Sequence, residues 1–131
     1  MQCKLEGIFQ VTGWDEKPYS EESEGSKLTK AQVTQTYTGS IEGSSQVEYL
    51  MAHNSDKSAV FVGMEKVTAS INGKSGSFVI QHNGKFEGGV ASSNYIIVTG
   101  SGQGELAGIE GTGSFESTEG GKSNYQMTIT D

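Results

Sequence analysis

The sequence predicts an all-β fold, an eight-stranded antiparallel closed barrel. Three observations carry this. Apolar and polar residues alternate along eight short segments, as strands with one covered face require. Glycine is abundant, with 19 residues against the single proline Pro18. The links between the segments are too short for the crossovers of a parallel sheet, which need a dozen or more residues.

The segments follow in order. Cys3–Gly13 places Leu5, Gly7, Phe9 and Val11 on one face and Lys4, Glu6, Gln10 and Thr12 on the other. Lys27–Gly39 sets Ala31, Val33 and Tyr37 against Lys30, Gln32, Thr34, Thr36 and Thr38. Gln46–His53 and Ala59–Ile71 carry apolar residues on both faces. That pattern predicts a covered outer wall as well as a covered interior. Lys74–His82, Val90–Thr99, Ile109–Ser117 and Ser123–Thr130 complete the set. Asn72-Gly73 is a strong two-residue hairpin signal. Asn54–Ser58 reads as a longer hairpin loop, and Glu87-Gly88-Gly89 and Glu119-Gly120-Gly121 as turns. Asn83-Gly84 fits either a turn or a bulge in a strand that ends near Phe86. Asp15–Ser26, acidic and serine-rich, reads as a loop. A sandwich meets the same pattern less well than a barrel.

At 131 residues the chain is expected to form a single domain, 1–131. The net charge of −7, with 16 acidic residues against nine basic ones, argues against nucleic acid and anionic membranes as partners. The longest apolar runs, such as Ala59–Val62 and Tyr95–Val98, are strand-sized. The N-terminus lacks the apolar core of a signal peptide. Cys3 stands alone, so no internal disulfide forms. These features point to the cytoplasm. Two histidines and one cysteine far apart match no zinc spacing, so neither metal nor cofactor is expected.

The Asn72-Gly73 turn, as a two-residue loop, predicts a register. Ile71 pairs with Lys74, Val67 with Phe78, Glu65 with Ile80 and Gly63 with His82. Glu65 and His82 are then diagonal neighbours on the more apolar face, with Cβ atoms roughly 6–8 Å apart. A carboxyl and an imidazole in an apolar interior are the groups of acid–base chemistry. They are equally a pair that merely satisfies itself. Glu48 is a third candidate. A four-residue loop at Ser55–Ser58 sets it opposite Glu65, whereas a five-residue loop from Asn54 sets Val47 there. Gly63 is expected to leave room beside the imidazole. Phe61, Phe78 and Ile80 share that face as ligand contacts. Trp14 ends the first strand and is expected at the barrel mouth, as a cap or a ligand contact. His53 reads as a solvated residue near a loop. The glycine run Gly100–Phe115 precedes a strand, not a helix, so it reads as a coiled connection and not as a phosphate loop.

Trp14-Asp15-Glu16, Glu48–Ala52, Phe61–Glu65, Gly76–His82 and the glycine pattern at Gly102, Gly104, Gly108 and Gly111 carry a resemblance. The chain resembles a family of small bacterial proteins of unassigned function whose barrel is similar to that of plant allene oxide cyclases. The resemblance implies an eight-stranded antiparallel barrel and homo-oligomers. The expected function is binding of a small, largely apolar molecule, with isomerisation or cyclisation assisted by Glu65 and His82. The alternatives are a non-catalytic carrier and a structural module with a filled interior.

Overall fold

A computed structural model describes residues 2–21, 26–118 and 120–130. Among the described residues nine strands form one antiparallel sheet: β1 (Gln2–Glu21), β2 (Lys27–Gly39), β3 (Ile41–His53), β4 (Ala59–Ile71), β5 (Lys74–Glu87), β6 (Val90–Ile97), β7 (Gln103–Gly104), β8 (Glu110–Ser117) and β9 (Lys122–Thr130). Each long strand pairs with its sequence neighbour. β1 pairs with β9 and β4 with β5, so the sheet closes on itself. The result is the expected eight-stranded antiparallel barrel, with β7 a two-residue addition along the start of β5. No helix among the described residues is long and apolar enough to cross a membrane.

The hairpin at Asn72-Gly73 has the two-residue geometry that its sequence demands, with φ of 52° and 80°. All the pairs expected around it are present, from Ile71↔Lys74 to Gly63↔His82. Asn83-Gly84 is not a turn. β5 runs through it, with Asn83 opposite Val62 and Gly84 opposite Phe61.

Asp15–Ser26 departs from the expected loop. Asp15–Glu21 continues β1 and pairs with β2 as far as Glu21↔Lys27. Residues 22–25 of that stretch lie outside the described residues. The continuation depends on a bulge. Val11 faces Gln35 and Gly13 faces Thr34, which leaves Thr12 as one extra residue. The extra residue inverts the alternation. Before it the odd residues Leu5 and Phe9 point inward. After it Trp14 lies opposite inward-facing Val33, and Glu16 opposite inward-facing Ala31.

The two ends of the barrel differ. At the end where β4 meets β5, the connection from β6 to β8 folds across the opening. Glu105 N–H donates to the Ser75 carbonyl and Ser75 N–H to Glu105 Oε1, at 2.9 and 3.0 Å. This sets Leu106 and Ile109 into the interior beside Ile41, Ile71 and Phe78, all buried. Gly76 allows it: a Cβ there would collide with the Gln103 carbonyl. At the opposite end lie the Asn54–Ser58 loop, the turn at Gly88-Gly89 and the start of β9. That end is the mouth.

The outer wall of β3 and β4 carries Leu50, Val60, Val62 and Met64, each about half exposed. Leu50 pairs with Val62 and Ala52 with Val60, so these side chains form one patch.

Leu106 seals the closed end. Leu106→Ala is expected to cost about 3 kcal/mol, read as a lower urea midpoint in equilibrium unfolding.

Candidate functional site

β4 and β5 place Glu65 and His82 on their inner faces, 0 % and 2 % exposed. The diagonal offset lets the side chains meet, with His82 Nε2 2.6 Å from Glu65 Oε1. The second carboxylate oxygen accepts from the Tyr37 hydroxyl at 2.5 Å and from Gln35 Nε2 at 3.1 Å, both on β2. On the far side, His82 Nδ1 lies 3.0 Å from Ser93 Oγ on β6. The Asn94 carbonyl lies 3.2 Å from the same Ser93 Oγ. Tyr49, Tyr95 and Phe115 meet the imidazole edge-on, with ring centroids 5.6, 5.2 and 5.6 Å away. Burial, and then the Glu65 charge, push the Tyr37, Tyr49 and Tyr95 hydroxyls well above the usual tyrosine range. All three therefore remain hydroxyls at neutral pH.

Above this network, toward the mouth, lies an open cavity of about 350 Å³. Phe9, Val11, Tyr49, Met51, Phe61 and Phe115 line it. Gln35 lines it too, and so stands between the cavity and Glu65. The rim includes Trp14, Glu16, His53 and Lys122. Glu16 Oε2 lies 2.7 Å from His53 Nε2 and accepts from the Thr29 hydroxyl at 2.7 Å. Its Oε1 accepts from Trp14 Nε1 at 3.0 Å, and the indole lies 6.4 Å from the Tyr49 ring. Burial works to raise the Glu16 carboxyl. The hydrogen bonds from Thr29, Trp14 and His53, with the His53 charge, outweigh it and hold the carboxyl below its ordinary value.

Several expected placements need correction. Glu48 does not join Glu65. The loop between β3 and β4 has five residues, so Val47 faces Glu65 and Glu48 faces Met64 on the outer wall. There Glu48 lies 3.5 Å from Lys30 Nζ and accepts from Gln32. The room at Gly63 is filled: a Cβ there would stand 2.6 Å from Tyr49 Cδ1. Phe78 and Ile80 are buried in the packed half and do not line the cavity. Phe61 and Trp14 do line it. His53 is not merely solvated, because it is bonded to Glu16. Gln35, Glu16, Ser93 and the tyrosine hydroxyls were not singled out in the sequence. Gln35 had a usable signal: it interrupts the apolar row Ala31, Val33, Tyr37. Among the described residues no group of three or more His, Cys, Asp or Glu side chains could hold a metal.

The chain is thus a closed β-barrel, packed at one end, with an apolar cup at the other above a buried polar network. Residues 5–129 match the model of a family described as "Protein of unknown function (DUF3224)", and the chain belongs to that family. A crystal structure of a DUF3224 protein of unknown function from Shewanella oneidensis MR-1, at 1.84 Å resolution, is similar over 99% of this chain and 98% of that one. The identity is 30% and the TM-score 0.77. A search of curated proteins finds no match.

Two outcomes are expected. Glu65→Leu strands His82, Tyr37 and Gln35 without their common acceptor and destabilises by about 3–5 kcal/mol, read by urea unfolding. For Glu16 the stability is present above its ordinary value of 4.5 and is lost as pH falls through its lower folded value. Emission of Trp14, the only tryptophan, should follow that transition. Glu16→Gln should remove it.

Proposed function

We propose that this protein is a binding barrel for a small, largely apolar molecule that enters at the mouth. The single observation behind this is the aromatic cup of about 350 Å³ in an otherwise packed barrel. That volume lies in the usual range for small-ligand sites, roughly 300–1,000 Å³. Such sites are mostly apolar with a few placed polar groups, and this one has Gln35 within and Glu16, His53 and Lys122 at the rim. A carrier or sensor needs nothing more.

Isomerisation or cyclisation by Glu65 and His82 is the weaker reading. Both groups lie behind Gln35, Tyr49 and Phe115, and general acid–base work needs hydrogen-bond reach to the substrate. Their bonds to Tyr37, Gln35 and Ser93 already account for them as a structural network.

Assembly into a homo-oligomer belongs to the same proposal. The patch of Leu50, Val60, Val62 and Met64 is apolar and continuous. Glu48 faces Met64 across the ladder and Lys66 follows it by two residues on the same wall, one charge of each sign. A two-fold related copy can pair these crosswise, as an isologous contact requires.

Butylbenzene is expected to change Trp14 emission in a saturable way, and Ala91→Phe, which narrows the cup without adding a second indole, to weaken or abolish this. Saturation that persists unchanged in Ala91→Phe places binding elsewhere. By sedimentation, Val62→Lys should reduce the native particle to single chains. A wild-type protein that already sediments as a single chain overturns the oligomer.

A further inference from the structure

We infer that the molecule held in the cup presents an uncharged hydroxyl to Gln35, as a phenol or an alcohol does. The inference rests on the binding function proposed above and names the chemistry of the ligand's inner end.

Gln35 is 3 % exposed, and its amide is oriented by its partners. Nε2 donates to Ser45 Oγ at 3.2 Å and to Glu65 Oε2 at 3.1 Å, which uses both of its protons. A carboxylate oxygen already taking the Tyr37 proton accepts and does not donate, so the amide cannot be turned round. The other end, Oε1, accepts from no described group. Among the described residues no fully enclosed side-chain nitrogen or oxygen lacks a partner. Oε1 is therefore not enclosed, and the space open to it is the cavity that Gln35 lines. A buried, fixed acceptor is aimed at the ligand space.

The character of this acceptor selects the donor. Covering Oε1 with an apolar group leaves a buried carbonyl without its bond, which is the arrangement that makes polar sites reject analogues lacking a hydroxyl. A carboxylate at this point has no proton to donate and approaches Glu65. An ammonium loses its water among Phe9, Tyr49, Phe61 and Phe115 with one neutral acceptor in return. A hydroxyl donates to Oε1 and can also accept. Two neighbours suit that second role: Tyr49 and Ser123 line the same cavity, and neither hydroxyl has a described partner. Burial keeps the Tyr49 proton in place.

The test uses 4-butylphenol and butylbenzene, which differ by one hydroxyl, with Trp14 emission and calorimetry as readouts on the intact chain. The phenol is expected to bind wild-type protein at least tenfold more tightly. Gln35→Met, of similar length but without the acceptor, is expected to bring the two affinities together by losing the phenol's advantage alone. Equal affinities on the wild-type protein overturn the hydroxyl while leaving the binding cup intact, and this comparison needs no variant. A phenol preference that survives in folded Gln35→Met overturns the role of Gln35. Binding of neither probe overturns the cup and this inference with it.

Discussion

A carboxylate with no exposed surface has to find its hydrogen bonds inside the protein, and Glu65 finds them on two other strands. Tyr37 and Gln35 reach it from β2, and His82 reaches it from β5. Ser93 on β6 then completes the imidazole. A pair on adjacent strands would restrain only local register. This set spans the barrel interior from β2 across to β6, so it restrains the cross-section. Removal of any one member leaves a buried polar group unmatched, which is costlier than the bond itself is worth. The surrounding rings sharpen that dependence, since Tyr49, Tyr95 and Phe115 keep water from replacing a lost partner.

The network also divides the barrel. On one side Phe78, Ile41, Ile71, Leu106 and Ile109 fill the lumen. On the other the rings of Phe9, Tyr49, Phe61 and Phe115 stand apart around open space. An eight-stranded barrel is only just wide enough for its own side chains, or for one small ligand. Here one height of the lumen is filled by the chain's own side chains and the other is left open. The glycine-rich connection after β6 makes the first half possible by bringing a leucine and an isoleucine over the end. The bulge at Thr12 makes the rim of the second half, because it turns Trp14 and Glu16 inward where unbroken alternation would turn them out.

The sequence was informative where a period or a turn type decides geometry. Alternation in eight segments and the Asn72-Gly73 hairpin were enough for the barrel and for the register that joins Glu65 to His82. It was uninformative where one residue of slippage reverses a face. Glu48 depended on a loop of four residues or five, and the loop has five. Trp14 was expected at the mouth and lies there, but Glu16 beside it depended on a bulge that leaves no mark on the pattern beyond Gly13. Residues 15–21 looked like loop because their composition is acidic, yet the partner strand β2 carries them as strand. Gln35 could have been noticed as the one amide in an apolar row. Its two partners, Ser45 and Glu65, come from different strands, and no local spacing encodes that meeting.

What the interior can do follows from which atoms remain unused. Glu65 has both oxygens occupied, and His82 has both nitrogens occupied. A general base must exchange its partner for the substrate's proton, so recruitment of either group requires a ring or an amide to move aside first. Gln35 Oε1 needs no such movement. It is held in place by the same carboxylate that makes the network rigid, and its free end faces the cup. The buried pair acts at a distance through that amide: it fixes which end of Gln35 faces the cup. A polar core built for stability thereby sets the polarity of the cavity wall above it.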